Sequence, residues 1–172
     1  MTKYSTNSLT FLGLLIALVV VSTMVITIPI PGTQGFIHLG DSMIFLVAVF
    51  FGKRKGAIAG GLGSALADLL LGYSHWILPT LVIKSIMGYV VGLIAEPNST
   101  RLFTPRNVFA LAVGALWMVT GYFFAGAALK GSFIVSLGSV PANLLQGFGG
   151  AAIFAPLGMA LRKTGVLMPH KS

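Results

Sequence analysis

The sequence predicts an all-α integral membrane protein, a compact bundle of six transmembrane helices with both termini cytoplasmic. Three observations carry that expectation. Hydrophobic residues make up 56% of the 172-residue chain and charged residues only 8%, whereas soluble domains average about 25% charged. Several apolar runs approach the roughly 20 residues needed to cross a hydrocarbon core of about 30 Å. Most of the eleven Lys and Arg residues fall between those runs rather than in an aromatic-interleaved basic patch. The net charge of +8 therefore reads as topology and not as nucleic-acid affinity.

The first helix, about 9–28, follows a single lysine, Lys3, and has no small-residue cleavage site behind a short apolar region. It reads as a retained span. The second, 39–52, has only fourteen residues before Lys53, so it either begins upstream near Gly35 or is short and buried against its neighbours. The third, fourth and fifth run over 56–73, 76–95 and 107–128, and "YSH" makes the third and fourth antiparallel neighbours. The sixth, 133–161, contains Gly138 and Pro141, which are expected to divide an outer portion from the spanning one. All 172 residues form one membrane domain on this reading.

With six spans, Lys3, Lys53, Arg54, Lys55, Arg101, Arg106, Arg162, Lys163 and Lys171 lie on one side, Lys130 on the other and Lys84 within a span. Short inner loops are enriched in Lys and Arg, so both termini are placed in the cytoplasm of a cell-membrane protein. A five-span count scatters the same charges over both faces.

Helices in lipid gain little from hydrophobicity and associate through close packing of small residues. Gly56, Gly60 and Ser64 recur every four residues with Asp68, beside a stripe of Ala57, Gly61 and Ala65, and Gly88 and Gly92 repeat the spacing in the fourth helix. These suit internal packing. Gly13 and Ala17 on the first helix can seat either a neighbour in the chain or another subunit.

A few polar groups lie at depth. Asp68 is twelve residues past the inner start of the third span. Lys84 is eight residues past the outer start of the fourth, about 12 Å deep at 1.5 Å per residue. A charge near the centre of a membrane helix costs roughly 2.5 to 3.5 kcal/mol, so neither is expected to face lipid, and an Asp68–Lys84 contact is feasible. Asp41 enters at the outer end of the second helix. Asn143 and Gln146 share a helical face, and their amides suit the nitrogens and hydroxyls of a heterocycle. Trp117 and Tyr122 offer flat surfaces with polar handles. Two readings are open for these groups. They form a buried network that satisfies itself, or they line an outward-opening cavity covered by the segment "IPIPGTQGFIHLG", whose Pro29, Pro31 and Gly32 make it irregular.

Other chemistry is poorly supported. The chain has no cysteine, which removes disulfides and thiolate sites. His38, His75 and His170 show no metal-ligand spacing, so no cofactor or metal is expected. Three acidic residues are few for a general-acid and general-base pair, and "GGLGSALAD" lacks the lysine of a phosphate-binding loop. The chain reads as a non-catalytic transporter subunit.

The elements Leu39-Gly40-Asp41, Gly52 through Asp68, Lys84 to Gly92 and Pro141-x-Asn143-x-x-Gln146 together resemble the substrate-binding S component of energy-coupling factor (ECF) vitamin transporters. That group includes carriers of riboflavin, pantothenate, pyridoxine and hydroxymethylpyrimidine. The resemblance implies a six-helix subunit that captures a vitamin from outside and topples in the membrane. Its implied partners are a membrane-embedded ECF coupling subunit and two ABC-type ATPases that hydrolyse ATP. The family's first-helix motif of two alanines four apart maps onto Gly13 and Ala17, with glycine in the first place, and implies a partner-docking face.

Asp41, Asp68, Lys84, Asn143 and Gln146 as donors and acceptors, with Trp117 and Tyr122 for stacking, favour a small neutral or weakly basic heteroaromatic alcohol. By resemblance hydroxymethylpyrimidine comes first and pyridoxine next. Pantothenate, using Lys84 for its carboxylate, and riboflavin are the alternatives within the family. Outside it stand a self-sufficient secondary transporter or channel and a membrane assembly subunit.

Overall fold

The computed structural model describes residues 6–25, 27–30, 35–96, 99 and 101–164. Lys3, His170, Lys171 and the tip of the expected cover, 31–34, lie outside the described residues. Helix α1 spans Thr6–Val25, strands β1 and β2 span Thr27–Ile30 and Gly35–His38, and helix α2 spans Gly40–Leu70. A 3₁₀ turn, Ser74–Trp76, leads into α3, Ile77–Ile94. Helices α4, Pro105–Lys130, α5, Phe133–Leu137, and α6, Val140–Lys163, complete the chain.

The segment between the first two helices is more regular than its prolines and glycines suggest. β1 and β2 pair antiparallel, Thr27 opposite His38 and Ile30 opposite Gly35. Two short strands satisfy much of each other's backbone, which suits a chain leaving one membrane helix and entering the next.

The expected second and third helices appear as one element, α2, interrupted at Gly52, whose backbone (φ 81°, ψ 176°) is not helical. A positive φ is readily adopted only by glycine, and the chain reverses there. A Cβ on Gly56 would come within 2.9 Å of Ala48, and one on Gly60 within 3.1 Å of Ile44. Residues 40–51 and 53–70 thus lie antiparallel, with Lys53, Arg54 and Lys55 at the bend. Among the described residues four helical stretches are long and apolar enough to cross a membrane: Thr6–Val25, Ser74–Ile94, Pro105–Lys130 and Phe133–Lys163. The halves of α2 are not among them, the first being short and the second carrying Lys53, Arg54, Lys55 and Asp68.

Glycines hold α2 to α3. A Cβ on Gly60 would reach the Lys84 carbonyl oxygen at 2.9 Å, one on Gly92 would reach Lys53 backbone nitrogen at 2.5 Å, and one on Gly88 would overlap the Gly56 carbonyl. The expected stripe is therefore a backbone-to-backbone seam.

Local signals fix the other ends. The Thr104 side chain caps α4 by accepting from Asn107 N–H at 3.1 Å, Pro105 occupies its first turn, and Gly131 ends it in the left-handed region (φ 65°). Buried Asn107 accepts from Glu96 N–H and donates to the Leu102 carbonyl, stitching the α3–α4 connection. The expected division of the last helix falls between Leu137 and Val140, with Pro141 in the first turn of α6.

The main apolar core joins Phe45, Met87, Val91, Ala115, Met118 and Phe154 from α2, α3, α4 and α6. A second cluster sets Leu15 and Val19 of α1 against Ile44, Val47 and Ala59. Large apolar side chains also cover the outside, Leu78 being 72% and Ile134 82% exposed. An apolar outer surface of this kind is a solvent match for lipid and not for water.

Candidate functional site: a buried polar core beneath the hairpin

At the hairpin end of the bundle, four segments bring polar side chains into the apolar interior. Asp41, in the first turn of α2, and Lys84, in the middle of α3, form an ion pair in which both side chains are fully buried. Asp41 is well placed electrostatically, because the helix N-terminus favours an anion. Its second oxygen, Oδ2, accepts from Gln146 Nε2 of α6 at 3.0 Å. Gln146 Oε1 in turn accepts from the His38 backbone N–H of β2 at 3.2 Å, and His38 Nδ1 accepts from Gly40 N–H at 3.0 Å. A buried ion pair is tolerated when further hydrogen bonds satisfy its members. Here those bonds tie the hairpin to α2, α3 and α6. Gly150 permits the approach, since a Cβ there would stand 2.9 Å from the Asp41 Cβ.

The expected Asp68–Lys84 pairing is replaced by Asp41–Lys84, and a different set of groups surrounds Asp68. Thr80 is hydrogen-bonded to the Asp68 carboxylate and accepts from the Tyr122 hydroxyl at 3.0 Å. The Tyr122 ring lies 5.4 Å from Lys84 Nζ, within the range of a cation–π contact, and stands edge-on to Trp76 at 5.6 Å. Among the described residues Asp68 Oδ2 and Ser64 Oγ are buried without a hydrogen-bond partner. An unsatisfied buried polar atom typically costs about 1 to 3 kcal/mol, so each calls for a physical explanation.

Asp41, Lys84, Tyr122 and Gln146 therefore converge, and Asp68 joins them through Thr80 and Tyr122. Trp117 does not join: its Nε1 donates to the Ile83 carbonyl at 3.0 Å and the residue is 36% exposed. Asn143, one turn before Gln146, is half-buried; its backbone N–H donates to the Ser139 carbonyl at 3.0 Å. Sequence reasoning missed His38, Ser64 and Thr80. Ser64 was visible only as a small residue in the glycine stripe, and His38 showed no signal beyond its place next to Leu39-Gly40-Asp41.

Burial holds the His38 imidazole well below its ordinary value, at about 4, against the opposing pull of Asp41 and with help from Lys84. The neutral ring is also what the geometry requires, because Nδ1 accepts a hydrogen bond. No group of three or more metal-ligating side chains occurs among the described residues.

Between α1 and the second half of α2, Gly13 and Ala17 line a shallow groove of about 300 Å³ with Ile16, Val20, Val21, Leu66 and Leu70. A Cβ on Gly13 would meet nothing within 4 Å.

Comparison with known proteins joins these features to a family. A relative from Lactococcus lactis subsp. cremoris, named the thiamine precursor transporter HmpT, is 34% identical over 164 residues, covering 94% of this chain and 91% of its own. An uncharacterized protein of Pyrococcus woesei is 39% identical over 145 residues, covering 84% of this chain and 95% of its own. With residues 3–163 matching the family throughout, the chain belongs to the S components of ECF-type riboflavin transporters, a family of non-catalytic membrane transport subunits.

Proposed function

We propose that this chain is the substrate-capturing S component of an ATP-driven importer for a small heteroaromatic vitamin or precursor. A hydroxymethylpyrimidine is favoured and pyridoxine is next. The observation that carries this reading is the buried polar core in which the hairpin, α2, α3 and α6 meet through Asp41, Lys84, Gln146 and His38. A site assembled from several segments can change when the hairpin lifts, whereas one confined to a single helix cannot. The name of the Lactococcus relative supports a thiamine precursor over the larger flavin.

On this reading the chain crosses the cytoplasmic membrane six times, with the reversal at Gly52 supplying two crossings and both termini inside. That places the Lys53-Arg54-Lys55 bend in the cytoplasm, in keeping with the distribution of basic residues. The hairpin then faces outward as the cover of the ligand site, with Asp41, Asp68, Lys84, Tyr122 and Gln146 beneath it. Asn143 contributes at the margin. Gly13 and Ala17 form the face that docks onto a membrane-embedded coupling subunit, and two ATPases bound to that subunit supply the energy.

Native mass spectrometry of the detergent-purified chain, followed by calorimetric titration, tests the reading. Retention of one hydroxymethylpyrimidine or pyridoxine per chain supports it. Retention of riboflavin or pantothenate replaces the substrate, and uptake by the lone chain in liposomes under a proton or sodium gradient overturns the S-component mechanism.

A further inference from the structure

Within the polar core the two carboxylates have different jobs. Both oxygens of Asp41 are engaged, one by Lys84 and one by Gln146. These partners tie α2, α3 and α6 together and reach the hairpin. Asp68 is different. Tyr122 spends its hydroxyl proton on Thr80, leaving Thr80 to donate its own to the Asp68 carboxylate. The other oxygen, Oδ2, is 1 of 2 side-chain atoms buried without a partner among the described residues, and the second is Ser64 Oγ. Asp68 is 5% exposed and Ser64 2%, and they lie four residues apart on the same face of α2.

Charge points the same way. Lys84 makes its hydrogen-bonded ion pair with Asp41 and acts on Asp68 only across space, so Asp68 is a buried carboxylate without an ion-pair partner among the described residues. An anionic ligand group gains nothing there. A donor gains a charge-assisted hydrogen bond, which is roughly twice as strong as a neutral one.

We infer that Asp68 Oδ2 and Ser64 Oγ form a donor-reading subsite, which takes the exocyclic amine of an aminopyrimidine and discriminates against the same ring carrying a carbonyl in that position. This rests on the vitamin-capture reading and assigns the Asp41–Lys84 pair to architecture instead of ligand contact. A carbonyl would set its oxygen against the carboxylate, and a site built to hydrogen-bond a donor rejects analogues that lack it.

The test is calorimetric titration of the full chain in nanodiscs with 4-amino-5-hydroxymethyl-2-methylpyrimidine and its 4-oxo counterpart. It uses the wild type, Asp68→Asn and Ser64→Ala, with the ligand-free melting temperature of each variant as a folding control. The wild type is expected to prefer the amine. Asp68→Asn, close in shape and able to donate through its amide, is expected to lose about 10- to 100-fold for the amine and to lose little or gain for the carbonyl compound. Ser64→Ala is expected to weaken the amine by a smaller factor. A wild type that binds both compounds equally, or an Asp68→Asn variant that keeps the wild-type preference, overturns the subsite while leaving vitamin capture standing. A wild type that binds neither compound overturns the subsite, and one that in addition retains no vitamin in native mass spectrometry overturns the capture reading as well.

Discussion

The α2–α3 seam and the outer face of α1 use the same small residues to opposite ends. In the seam, Gly56, Gly60, Gly88 and Gly92 let backbone meet backbone, and any added Cβ collides with a carbonyl, an amide or an adjacent helix. On α1, Gly13 fronts open space and a shallow groove. The lesson is that a glycine spacing in a membrane helix marks a smooth surface, and only the neighbour decides whether it is filled inside the chain or kept for a partner. The seam also carries Lys84, whose carbonyl lies under Gly60 while its side chain crosses to Asp41.

The comparison breaks most severely at Lys84. Lys84→Met leaves the Asp41 carboxylate buried and uncompensated, and is expected to cost about 3 to 5 kcal/mol. Thermal unfolding in detergent checks this, and adding Asp41→Asn is expected to recover most of the loss. Gly88→Ala, which forces a methyl onto the Gly56 carbonyl, is expected to cost about 1 to 3 kcal/mol and to lower the melting temperature accordingly.

The hairpin end supplies a pH test. Burial holds the His38 ring at about 4, below its ordinary 6.5, so the unfolded chain takes up the proton first as pH falls. The His38 contribution is at its most favourable above about 6.5 and is lost progressively down to about 4. A melting series across that window is expected to fall toward acid, and His38→Asn is expected to flatten the slope. The smallest effect on the chain itself belongs to α1. Gly13→Leu is expected to change stability and ligand affinity by less than about 0.5 kcal/mol, yet to reduce copurification with the coupling subunit. Unchanged complex yield would remove that face as the dock.

Much of the helical frame was legible because lipid imposes simple requirements, namely long apolar runs and basic residues kept between them. The break before Val140 followed from Gly138 and Pro141, and the seam followed from the four-residue glycine spacing. The reversal at Gly52 was visible as a charge triplet between two apolar runs, although the structure carries helix up to and beyond that single glycine. The hairpin was harder to see, because Pro29 and Pro31 argue against strands and cross-strand pairing depends on partners several residues away. Of the site, the burial of Asp41, Lys84 and Gln146 could be inferred from their depth, whereas Tyr122, half-buried beside them, was visible only as an aromatic with a polar handle. The choice of Asp41 over Asp68 as the partner of Lys84 could not, since it depends on how the halves of α2 fold back on each other. Trp117 was misleading for a related reason: its position on α4 turns its indole N–H toward the α3 backbone.

The central claim is that the lone chain holds one small heteroaromatic ligand in the polar core beneath the hairpin, without help from any partner. Equilibrium titration of the purified wild-type chain with 4-amino-5-hydroxymethyl-2-methylpyrimidine, read by intrinsic fluorescence, tests it most directly because Trp76 packs against Tyr122 at that core. The account predicts a saturable change at one ligand per chain. A flat titration with demonstrably folded protein, or binding that appears only after the partner subunits are added, would contradict it.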